Sequence, residues 1–167
     1  SDEIIDASLW KIDSLNLRDR GSYGFFNKVR VFPDLLFLAT DRNLDGLAEK
    51  CPKLKFIDFR RWLEWKDNKL DLTKLSGCFQ LEEINLCYHR DVSLKDLPTL
   101  TNLKRLDLRW NWNLENLDEL PNLDNLEDLD VGNCSKLLSV GDLSRFPSLQ
   151  RLNLVGCDAL EISDDIY

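Results

Sequence analysis

Few residues of this 167-residue chain carry reactive groups, and their spacing limits what they can do. The only histidine, His89, follows Cys87 and Tyr88, an order that would suit a thiol–imidazole pair. A cysteine nucleophile also needs a group that orients the base. The repeat described below gives His89 a turn position instead, where a side chain satisfies backbone groups. No catalytic residue is therefore assigned, and the chain is expected to be no enzyme. Cys51, Cys78, Cys87, Cys134 and Cys157 form an odd set without clusters at either end. Reduced thiols inside a cell, cytoplasmic or nuclear, are the better reading. Cys134 and Cys157 lie 23 residues apart, but two thiols without further converging ligands do not make a zinc site. The acidic residues Glu115, Asp118, Glu119, Asp124, Glu127, Asp128 and Asp130 include no base among them. They lack the spacing of a calcium loop and read as a solvated face. Neither metal nor cofactor is expected.

The elements that position these groups are written as a repeat. Leu103, Leu106, Leu108 and Asn111 spell L-x-x-L-x-L-x-x-N, and Leu126, Leu129, Val131 and Cys134 spell it again 23 residues later. Alternation in the middle of the phrase predicts a strand, with the third and fifth residues after the anchor inward and the fourth outward. Seven anchors follow: Ile12, Leu35, Leu54, Leu81, Leu103, Leu126 and Leu149, spaced by 23, 19, 27, 22, 23 and 23. Thirteen of the fourteen residues at +3 and +5 are apolar; Thr40 is the exception and makes the second repeat the weakest.

Leu114, Leu117, Leu120 and Leu123 recur by threes after the fifth strand, as do Leu137, Val140, Leu143 and Phe146 after the sixth. That spacing predicts 3-10 turns or short helical pieces, and Pro98, Pro121 and Pro147 disfavour long helices. Residues 43–50, with Leu44, Leu47 and Ala48 on one face, predict a helix. The 27-residue third repeat, with Trp62 and Trp65, predicts a bulged return, and Trp62, Trp65 and Trp112, past the strands on the turn side, are expected to fill this return and its neighbour. Residues 1–11 read as an N-terminal cap built on Ile4, Ile5, Leu9 and Trp10, residues 12–160 as the repeat domain, and residues 161–167 as a tail or short cap. The start at Ser1 and the absence of Met point to a piece of a longer protein.

On these residues the chain resembles the leucine-rich repeat superfamily, in its short-repeat intracellular form, over residues 12–160. The resemblance implies an α/β solenoid: a curved right-handed coil, a parallel β-sheet on the concave face, and short helical, 3-10 or irregular returns on the convex face. Residues 44–59, LDGLAEKCPKLKFIDF, are similar to repeats of F-box substrate receptors. Residues 134–160, CSKLLSVGDLSRFPSLQRLNLVGCDAL, resemble those of plant immune receptors. The implied activity is protein or peptide binding through the concave face, as a substrate receptor or sensor. A regulatory or targeting part of a larger enzyme, and a pathogen effector that binds a host protein, are the alternatives.

The strand pattern turns particular residues outward. At +4 it places Asn16, Ala39, Asp58, Asn85, Asp107, Asp130 and Asn153, a polar column. Bulky residues gather around it in the third to fifth repeats: Phe56, Arg60, Arg61, Tyr88, Arg105, Arg109 and Trp110. Aromatics and arginines dominate binding hot spots, so these residues with Asp58, Asn85 and Asp107 form the candidate partner surface. Two plainer readings stay open: the aromatics tuck over the sheet rim, and the arginines neutralise neighbouring acids.

Net charge is −8, divided as −3 over residues 1–49, +4 over 50–110 and −9 over 111–167. The acidic end argues against nucleic acid as partner. No run is long and apolar enough for a membrane span.

Overall fold

The computed structural model describes residues 11–18, 31–40, 45–60, 70–90 and 92–161. Arg61, Trp62, Trp65 and Leu44 lie outside them, as do the cap residues Ile4, Ile5, Leu9 and Trp10 and all of the tail after residue 161.

Among the described residues, seven three-residue strands form one parallel sheet in chain order, β1-β2-β3-β4-β5-β6-β7. They are β1 Ser14–Asn16, β2 Phe37–Ala39, β3 Phe56–Asp58, β4 Glu83–Asn85, β5 Arg105–Asp107, β6 Asp128–Asp130 and β7 Arg151–Asn153. Each pairs with the next in a single register, so Leu38, Ile57, Ile84, Leu106 and Leu129 stand in one row. Each of those five is at most 2% exposed. Moving a strand by one residue would put this row into water, which fixes the register whatever the length of the return. The chain is thus a β-solenoid with stacked coils and, among the described residues, little helix.

Pairing runs well past the short strands. The residue before each strand offers a carbonyl to two N–H groups of the next coil: Lys55 accepts from Glu82 (2.8 Å) and Glu83 (3.0 Å), Lys104 from Glu127 (2.9 Å) and Asp128 (3.0 Å). Beyond the strands, Leu86 N–H donates to the Asp107 carbonyl (2.8 Å) and Tyr88 N–H to the Arg109 carbonyl (3.0 Å). Thr40 occupies its core position fully buried, and β2 pairs on both sides.

The returns differ from the expected pattern in two places. Short 3-10 helices occur at Leu72–Leu75, Leu94–Asp96 and Leu143–Arg145. The fifth return has none; it bridges to the sixth in extended form at Asn116 and Ser139. Leu117, Leu120 and Leu123 are nonetheless buried, so spacing by threes reports which residues face inward rather than the hydrogen-bond type. Of the predicted helix over residues 43–50, the described residues 45–50 are α-helical at Leu47–Lys50, and Gly46 precedes it at φ 66°, outside the helical region. Arg145 then staples two returns together. Its guanidinium donates to the carbonyls of Leu117 (2.9 Å), Asp118 (3.1 Å) and Leu120 (2.6 Å).

Candidate functional site

The outward residues of the strands form rows across the sheet, and each row has its own task. The +4 column closes the strands. Asp58 Oδ1 accepts the Arg60 N–H (2.8 Å), Asn85 that of Cys87 (3.0 Å), Asp107 that of Arg109 (3.0 Å), and Asp130 that of Gly132 (2.9 Å). Asn16 and Asn153 do the same at the two ends of the sheet. A short Asx side chain bonding the backbone two residues on is a turn device. The column is therefore structural first, and only its remaining oxygens face outward.

Those oxygens take arginines. Asp58 binds Arg60 (2.9 Å) and also Arg18 (2.7 Å), which crosses β2 to reach it. The small Ala39 in β2 leaves that path open. Burial acts to raise the Asp58 pKa, yet the hydrogen bonds from Arg60 and Arg18 outweigh it and hold the carboxyl below its ordinary value. Arg109 lies on Asp107 (2.7 Å) with Asp130 at 3.7 Å. Asp107 is likewise held low: burial opposes it, and the bonds from Arg109 and Cys87 win. At +2, Arg105 pairs with Glu83, and Arg151 with Asp128. The described arginines of this face, Arg18, Arg60, Arg105, Arg109 and Arg151, are each paired with an acid of the chain, as one of the plainer readings had it.

Aromatics form two clusters, on β2–β3 and after β4–β5. Phe37 and Phe56 stack at 4.6 Å between centroids. Tyr88 and Trp110 stack at 5.7 Å with an interplanar angle of 5°, and Trp112 meets Tyr88 edge-on at 6.4 Å. Tyr88 and Trp110 stand at the same turn position as Asn133 and Gly156, with φ of 65°, 62°, 61° and 75°. The left-handed conformation suits Gly and Asn but costs a bulky L-residue roughly 1–2 kcal/mol. An aromatic stack returns about 0.5–1.5 kcal/mol beyond its burial. The pair thus offsets only part of its strain by stacking, while Trp110 stays 36% exposed.

Across β3 to β6 lies a cavity of about 180 Å³, lined by Phe56, Asn85, Arg105 and Asp107 together with Glu83, Asp128 and Asp130. The structure thus gathers four of the sequence-selected residues around one hollow, with Arg109 on its wall residue Asp107. Asp58 and Arg60 belong to a separate cluster with Arg18, and Arg61 lies outside the described residues. Glu83, Asp128 and Asp130 were missed by a selection for bulk, although their offsets place them in the same rows.

One residue further along, a second ladder ties the coils. His89 Nε2 lies 2.9 Å from the Phe59 carbonyl. Asn111 Nδ2 donates to Leu86 (3.0 Å) and Leu108 (2.6 Å), and the thiols of Cys134 and Cys157 donate to Leu108 and Val131, each at 3.2 Å. All five cysteines are free and buried. Burial pushes the thiols of Cys51 and Cys87 up to about 12 and those of Cys78 and Cys134 up to about 11. Among the described residues no group of three or more His, Cys, Asp or Glu side chains is arranged to hold a metal ion, and no helix is long and apolar enough to cross a membrane. No protein-family model matches the chain, and no curated protein matches it.

Proposed function

We propose that the chain is a leucine-rich repeat domain whose open sheet face recognises a protein or peptide inside the cell. The observation that carries this reading is the hollow of about 180 Å³ at the centre of that face, where the Phe56 ring adjoins charged groups already held in place. Side chains fixed by their own ion pairs lose little freedom on binding, so a partner meets a preorganised surface. The Asx turns and the asparagine–cysteine ladder that brace the strands support the repeat assignment. The buried free thiols support a reducing compartment.

The reading assigns Trp110 and Arg105 the contacts that decide affinity, because both keep exposed area, 36% for Trp110 and 48% for the Arg105 side chain. Trp110→Ala and Arg105→Gln should each weaken partner binding by about tenfold or more while the protein stays folded. Unchanged affinity in both folded variants would refute the proposal.

A further inference from the structure

A hollow lies away from the sheet face, between the fourth and fifth returns. It measures about 450 Å³, within the size range of small-molecule sites. Its origin is a mismatch of neighbours: the fourth return turns through the 3-10 helix Leu94–Asp96, whereas the fifth runs extended toward Ser139 at Asn116. Returns of different geometry do not stack flush, and the gap stays open.

The walls carry opposite charge. Arg90 and Lys95 line it from the fourth coil, and Glu115 and Glu119 from the fifth. None of the four has an ion-pair or side-chain hydrogen-bond partner among the described residues. The arginines of the open face, by contrast, are closed on acids of this chain. Asn111, 1% exposed, lines the same hollow. Both amide hydrogens of Asn111 are committed to the Leu86 and Leu108 carbonyls, which fixes the amide's orientation. Its Oδ1 is left buried with no hydrogen-bond partner, an acceptor that lacks a donor.

We propose that this hollow binds a zwitterionic amino compound, a free α-amino acid or a dipeptide. Its carboxylate lies against Arg90 and Lys95 and its ammonium against Glu115 and Glu119. Val92, Leu94 and Leu114 form the apolar part of the lining that receives its side chain. A simple anion would satisfy only the basic wall and a simple cation only the acidic one; a zwitterion satisfies both. This site is independent of the sheet face.

The test is titration calorimetry with thermal unfolding on the purified chain. The probes are the free amino acids and dipeptides, the same compounds with an acetylated amine or amidated carboxyl, and inorganic phosphate. At least one free zwitterion should bind saturably at millimolar concentration or below and raise Tm. Blocking either end should weaken it by about tenfold or more, as loss of a charge-assisted hydrogen bond predicts. The folded pairs Glu115→Gln/Glu119→Gln and Arg90→Gln/Lys95→Gln should weaken it equally. Binding by phosphate alone, equal binding of blocked and free forms, or no binding by any probe overturns the proposal.

Discussion

Asp58→Asn isolates the charge at the tightest cluster of the sheet. The carboxylate side chain is 3% exposed and holds Arg18 at 2.7 Å and Arg60 at 2.9 Å. Asn occupies the equivalent position at residues 16, 85 and 153 and makes the same turn bond there, so the turn survives the substitution. What is lost is the charge between two guanidiniums. Breaking a buried pair from one side costs about 3–5 kcal/mol. Arg18 and Arg60 keep 23% and 41% of their side chains in water, and screening lowers the expected loss to about 2–3 kcal/mol. Asp58→Ala also removes the turn acceptor and should cost about 1 kcal/mol more. Urea unfolding with an unchanged m-value is the assay. Adding Arg18→Gln to Asp58→Asn should recover part of the loss, because one unpaired charge disappears. The sign with pH follows from the lowered pKa of Asp58. Its contribution is complete above the unfolded carboxylate range, near pH 4, and fades as pH falls through the lower folded value. The gap between wild type and Asp58→Asn should therefore narrow in acid. A loss under about 0.5 kcal/mol, the range of an ordinary surface change, would refute the argument.

Leu106→Ala, at a site 1% exposed in the middle of the sheet, should cost about 2–5 kcal/mol in the same assay. Arg145→Met keeps an apolar stem but leaves the carbonyls of Leu117, Asp118 and Leu120 without its guanidinium, for a loss of about 1–3 kcal/mol. At pH 8 the five buried thiols, with pKa values pushed upward, should react slowly with a disulfide reagent in the native protein and fast after denaturation. Rapid native labelling of several of them would contradict the core packing.

The strands were legible because their apolar residues recur at fixed offsets from the anchors, and the observed triplets begin two residues after each anchor. The returns were less so: Leu114, Leu117, Leu120 and Leu123 show burial every third residue, a spacing that an extended bridge and a 3-10 turn both satisfy. At the site, the sequence displayed the Asp/Asn column but not its task. Which backbone N–H a carboxylate accepts depends on how the strand ends, and that geometry has no periodic signature. The Arg18–Asp58 contact was hidden for a similar reason, since it skips a strand and depends on a small Ala39 between them. Asn133 and Gly156 hinted at a left-handed turn position, and Tyr88 and Trp110 obscured it by occupying the same place.

The central claim is that one face of the solenoid selects a protein partner, and comparative affinity capture tests it most directly. Three baits would be matched for folding: wild type, the open-face pair Arg105→Gln/Trp110→Ala, and a back-side pair, Phe79→Ser/Leu138→Ser, at residues 60% and 57% exposed. The account predicts proteins retained by wild type and by the back-side pair but lost from the open-face pair. Retention of the same proteins by all three baits, or their loss only from the back-side pair, would contradict it.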